Sequence, residues 1–170
     1  MSARALLALV LVVGCAADPA PAPERPRAEV ILEAVARVHG GAGPFAVAGH
    51  RMGERALTDL GLRRGEFALE VEHTCPRQVQ WSCIADGLQA ATGASPGKLN
   101  LSLAFVNDGQ PTESRVRDRR SGRVVVMGLK DEFLAAFLDT PMDRLREAGA
   151  RVAVMSDDEI FWVRSEQAGP

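Results

Sequence analysis

Glu113-Ser114-Arg115-Val116-Arg117-Asp118-Arg119, then Arg120-Ser121-Gly122, then Arg123-Val124-Val125-Val126-Met127-Gly128-Leu129 is the stretch that decides the fold class. The first run alternates charged and smaller residues with period two, and the second is rich in β-branched side chains. A short turn with glycine joins them, so residues 113–129 read as an antiparallel hairpin. Upstream, residues 99–106 form another expected strand, with Leu99, Leu101, Leu103 and Phe105 on one face. Further back, 67–73 alternates Phe67, Leu69 and Val71 with Ala68, Glu70 and Glu72, a half-buried strand.

Helical spacing surrounds these strands. Val30, Ile31, Ala34, Val35 and Val38 place a helix over 29–38, and Phe45, Ala48, Met52, Ala56 and Leu60 place one over 45–60. Pro44 suits the first turn of the second helix. Ser82 reads as the cap of a helix over 83–92, after a loop broken by Pro76. A helix over 131–138 follows the hairpin, and Thr140 with Pro141 opens another that ends at Gly149. Short strands over 151–155 and 160–164 close the chain. Mixed helices and strands with antiparallel hairpins give an α+β class, a mixed or antiparallel sheet with packed helices.

The 170 residues suit one domain, with 46% hydrophobic and 25% charged. The 20 basic residues against 22 acidic give a net charge of −2. That balance argues against nucleic acid as a partner, which needs clustered positive charge. Lys98 and Lys130 are the only lysines.

The N-terminus reads as an address. Arg4 precedes an apolar run over 5–13, too short to cross a bilayer, which needs ~20 residues. Gly14 and Cys15 follow, so residues 1–14 are similar to a bacterial lipoprotein signal peptide with Cys15 as the lipidated residue. Residues 15–28 carry Pro19, Pro21, Pro23 and Pro26, an extended tether, and residues 29–166 form the expected domain. The expectation is an exported protein, lipid-anchored in the cell envelope. Ala16 points to the outer membrane rather than the inner, with the domain facing the periplasm. Cys75 and Cys83 would then sit in an oxidising compartment, where a disulfide is one reading and a metal or redox role the other.

Three places carry candidate chemistry. His39 lies between a helix end and Gly40-Gly41-Ala42-Gly43. On spacing alone it is a helix-end histidine favoured by the dipole, but the glycines allow close approach of a ligand or metal. His73 and Cys75 offer two donors at the end of a strand. Cys83 follows the expected cap, where a helix N-terminus favours a thiolate. Asp86 shares its helix face at i+3. Thr92 to Lys98 lacks the full phosphate-loop pattern, and nucleotide binding is rejected.

Taken together, these segments resemble the FmdE domain family of formylmethanofuran dehydrogenase. The first block is His39-Gly40-Gly41-Ala42-Gly43-Pro44-Phe45 with Gly49-His50-Arg51-Met52-Gly53. The second and more specific block is Ser82-Cys83-Ile84-Ala85-Asp86-Gly87-Leu88-Gln89 with Thr92-Gly93-Ala94-Ser95 and Gly97-Lys98-Leu99-Asn100-Leu101. The resemblance spans roughly 30–138. It implies an α+β domain with a bound transition metal, zinc or similar, on His39 and Cys83. Gly41, Gly43 and Ala94 stand where the family pattern has His, Cys and Cys, so His73 or Cys75 would have to complete a ligand set. Asp86, Gln89, Thr92, Lys98 and Asn100 are the implied ligand-binding residues. The functional expectation is a membrane-tethered accessory domain binding a metal or small ligand in a His/Cys-lined groove. The alternative is a non-enzymatic envelope protein with a Cys75–Cys83 disulfide and a vestigial site. A homodimer is among the expected partners.

Overall fold

A computed structural model describes residues 25–107 and 109–167; the signal, Cys15 and most of the tether fall outside them. Helix α1 (Arg27–His39) buries Ile31, Leu32 and Val35 on one face. It stops at Gly40, whose left-handed φ of 85° an L side chain would resist. Helix α2 (Pro44–Leu60) starts with Pro44 at its first position, as the sequence predicts. Strand β1 (Leu69–Pro76), helix α3 (Val79–Thr92) and strand β2 (Leu101–Val106) follow. Then come β3 (Glu113–Asp118), β4 (Arg123–Leu129), α4 (Asp131–Phe137), α5 (Leu145–Val154), α6 (Asp157–Ile160) and β5 (Phe161–Gln167).

The five strands form one mixed sheet in the order β2-β1-β3-β4-β5. β1 and β2 are parallel, joined by α3 as a crossover; the other pairs are antiparallel. Val71 faces Leu101 on one side and Val116 on the other, and Val116 pairs with Val125. Leu69, Val71, Val116, Val125 and Met127 point into a core shared with the helices. The opposite face carries charge: Arg115 pairs with Glu166 at 2.6 Å, Arg119 with Glu70 at 3.0 Å. The fold class stands as the sequence predicts.

Helices α2 and α3 touch backbone to backbone. A Cβ added at Gly87 would lie 2.0 Å from the Ala46 carbonyl oxygen, and one at Gly49 would lie 2.2 Å from that of Ile84. No real Cβ tolerates either distance, so these positions exclude side chains by sterics. This contact fixes where the first half of α2 crosses the middle of α3.

Several boundaries differ from the sequence reading, among them the end of β1 at Pro76 and of β5 at Gln167. α3 begins at Val79, not Cys83, so Ser82 lies within the helix and donates its hydroxyl to Val79 O at 3.0 Å. Residues 151–154 are helix, not strand: α5 runs through Gly149, where a Cβ would sit 1.9 Å from Ala42 O. Gly149 thus serves a crossing, not a stop. The buried Arg51 guanidinium ends α5 instead, donating to Val152, Ala153 and Met155 carbonyls and to Asp157 Oδ1 at 2.7 Å. Finally, Phe67 and Leu99 lie outside the strands and are 78% and 85% exposed, while β2 is an edge strand whose Leu103 and Phe105 stay half-open.

Candidate functional site

His39 is the last residue of α1, and Asp86 lies midway along α3. His39 Nδ1 and Asp86 Oδ2 are 2.7 Å apart. An ionised carboxylate only accepts, so Nδ1 carries the proton and donates. Among the described residues nothing pairs with Nε2, which is the ring's unengaged nitrogen. Asp86 is therefore the orienting partner of an imidazole, not the first-turn stabiliser that a helix starting at 83 would make it.

Cys83, one turn before Asp86, lines a pocket of about 550 Å³ together with His39. The two candidates expected to converge do share one cavity. Its walls are Phe45, Phe137, Leu138, Met142 and Leu145, with Val79 at the rim. Gln80, Thr140 and Arg146 supply further polar groups. Phe45 is braced from behind by edge contacts to Trp81 at 5.6 Å and Phe133 at 5.8 Å.

The thiolate expected at Cys83 is not favoured. Cys83 lies four residues into α3, past the orphan amides of the first turn. Burial, and then the Asp86 charge, push its thiol up to about 11. It is a neutral group at pH 7.

The remaining candidates fall elsewhere. His73 points into the core, where Nδ1 lies 2.9 Å from Ser114 Oγ and Nε2 lies 3.0 Å from Trp81 O. Burial holds its pKa near 4, so the neutral ring donates through Nε2 to the carbonyl and accepts from the serine. Both nitrogens are used in tying β1, β3 and α3 together, and neither is free for a metal. Cys75 is fully buried, and burial raises its thiol. Neither it nor His73 lines the His39 pocket. Cys75 and Cys83 are both free thiols in this structure.

Thr92, Lys98 and Asn100 form a loop lock at the far end of α3, ~13 Å along the helix axis from Cys83. Thr92 Oγ1 donates to Leu88 O at 2.6 Å and accepts from Ala94 N at 3.1 Å. Asn100 accepts from Ser95 N and donates to Leu69 O, both at 3.0 Å, and Lys98 Nζ donates to Gly93 O at 2.9 Å. These contacts turn the chain from α3 into β2. Gln89 also stands outside the pocket; its carbonyl takes the Gly93 amide. Of the implied ligand-binding set, only Asp86 reaches the site, through its hydrogen bond to His39 and not by lining the pocket. Gln80, Thr140 and Arg146 were not among the sequence candidates. Thr140 and Arg146 sit among the apolar Leu138, Met142 and Leu145, their one signal; Gln80 has none.

A family model described as "FmdE, Molybdenum formylmethanofuran dehydrogenase operon" matches residues 38–162, most of the 170-residue chain. The chain belongs to the FmdE family. The FmdE domain here is similar to the crystal structure of a tungsten formylmethanofuran dehydrogenase FmdE-like protein from Syntrophus aciditrophicus. The TM-score is 0.55 at 19% identity, over 84% of this chain and 73% of that one. That likeness shows a shared fold. No curated protein matches the chain. The matched span begins one residue before His39 and includes Cys83 and Asp86, so the whole imidazole–carboxylate–thiol group lies within the FmdE domain.

Proposed function

We propose that this FmdE domain is a membrane-tethered accessory module that binds a small ligand in the His39–Cys83 pocket. The observation that carries this reading is the convergence of His39, from the end of α1, with Cys83, from α3, on one mostly apolar cavity of about 550 Å³. Cavities of ~300–1,000 Å³ with apolar walls and a few convergent polar groups are the usual form of small-ligand sites. Asp86 fixes the imidazole, whose Nε2 is then available to a ligand's polar end. The Cys83 thiol adds a weak neutral donor.

The family's name comes from a molybdenum enzyme operon, and a resident metal on this chain is tested by its donors. Among the described residues, no group of three His, Cys, Asp or Glu is placed to hold a metal ion. Asp86 is engaged by His39, His73 by Ser114 and Trp81, and Cys75 is sealed in the core. His39 and Cys83 alone fall short of the three or four protein donors that zinc takes. The residues present do not fit a resident zinc or similar ion.

The anchor rests on the sequence: the short apolar run before Gly14-Cys15 and the proline-rich stretch after it. No helix among the described residues is long and apolar enough to cross a membrane. Mass measurement of the exported chain tests the lipid directly; an unmodified Cys15 overturns the tether.

Titration of the full chain with N-phenyl-1-naphthylamine, a neutral fluorescent apolar probe, tests the pocket. One saturable equivalent is expected, lost in Leu145→Trp, which fills the cavity from its wall. Binding that ignores Leu145→Trp overturns the pocket reading. Stoichiometric zinc that survives dialysis overturns the metal-free one.

A further inference from the structure

We infer that the ligand is an organic carboxylate with an apolar body, its charge held by Arg146; this rests on the pocket being a ligand site. Arg146 lines the cavity and has no carboxylate within 4 Å among the described residues, whereas its neighbour Arg144 is paired with Glu147 at 2.7 Å. A guanidinium stays charged at any physiological pH and matches a carboxylate through two parallel hydrogen bonds. No Asp or Glu lines the pocket, so nothing on its surface answers that charge.

The backbone adds to the same polarity. The first residues of three helices line the cavity: Pro44, Phe45 and Ala46 of α2, Val79 and Gln80 of α3, Leu145 and Arg146 of α5. Neither α2 nor α3 has a side-chain cap, so the Phe45 and Ala46 amides of α2 and the Val79 and Gln80 amides of α3 remain available; Pro44 has no N–H, and α5 continues a tighter turn over Met142–Arg144. Helix N-termini attract negative charge. Cys83, buried to all but 9%, lines the same cavity, and no other described residue accepts from its thiol or donates to it. The anion preference thus comes from Arg146 and the starts of α2 and α3.

The apolar half of the ligand follows from the rim. Val79 is 76% exposed, Met142 85% and Leu138 42%. These side chains border the cavity and would lose water contact against a hydrocarbon or aromatic body. A compact inorganic anion would leave them exposed, so a phosphate or sulfate alone is disfavoured.

The experiment is displacement of N-phenyl-1-naphthylamine from the full chain by hexanoate, octanoate and decanoate, each matched with its alcohol. Carboxylates are expected to displace the probe at least tenfold more effectively than the alcohols. Arg146→Gln should remove that advantage while leaving alcohol displacement unchanged; Arg144→Gln, whose side chain is outside the cavity, should leave both unchanged. Alcohols that displace as well as acids, with Arg146→Gln without effect, overturn the carboxylate assignment and leave the pocket reading intact. A probe that never binds, in a chain whose circular dichroism is native, overturns both.

Discussion

His39 and Asp86, 47 positions apart in the chain, meet at 2.7 Å between Nδ1 and Oδ2. This pair links the end of α1 to the middle of α3 and orients the imidazole, whose second nitrogen pairs with nothing among the described residues. Burial raises the Cys83 thiol most, and the same carboxylate adds to that rise, so one acidic side chain acts on both candidate groups.

Asp86→Asn is therefore expected to speed the alkylation of Cys83. Removing the negative charge lowers the thiol from about 11 toward its ordinary value, and the thiolate is the reacting species. Iodoacetamide kinetics between pH 8 and 10, read by mass spectrometry, check this. A rate no faster than in the unaltered chain contradicts it.

Acidification should destabilise the fold through His73. Its folded pKa near 4 lies below the ordinary value of 6.5 because burial disfavours the charged ring. Stability from the neutral ring is complete above pH 6.5 and is lost as pH falls toward 4, when the unfolded chain takes up the proton first. The shift corresponds to roughly 3 kcal/mol at 1.36 kcal/mol per pH unit. Denaturant melts from pH 7 to 4 should show the loss, and His73→Gln should be less stable at pH 7 but flatter across the range.

Gly87→Ala should cost about 3 kcal/mol or more, since the added Cβ meets the Ala46 carbonyl at 2.0 Å and drives α2 from α3. Gly41→Ala, with nothing within 4 Å of the added atom and no left-handed φ, should change stability by less than ~0.5 kcal/mol. Equal effects would contradict the close-packed crossing.

Arg51→Lys should destabilise by at least ~2 kcal/mol despite keeping the charge. One ammonium cannot replace a fork that serves three carbonyls and Asp157 at once. Thermal unfolding of the variant against the unaltered chain measures it.

Much of this is legible in the amino-acid sequence. The hairpin over 113–129, the two opening helices and the α+β class follow from periodicity. The shared face of Cys83 and Asp86 follows from i+3 spacing. The start of α3 is not legible because Gln78 makes no side-chain cap there; the helix is held by packing against α2. α5 runs through Gly149, which packs on Ala42, distant in sequence and invisible to local rules. Thr92, Lys98 and Asn100 read as ligand residues because a motif marks importance without marking its kind; their hydrogen bonds show a turn being locked. Arg146 is hidden for a simpler reason. A lone exposed arginine early in a helix gives no sign of the cavity that three separate segments form beside it.

The most direct test of the convergence is a long-range 1H–15N spectrum of the His39 imidazole, recorded at pH 8 before and after methylthiolation of Cys83. The expected result is a ring protonated at Nδ1, with the Nε2 resonance moving when Cys83 is modified. A ring protonated at Nε2, with signals indifferent to the sulfur, would mean that Asp86 does not orient His39 and that the two groups do not share a pocket.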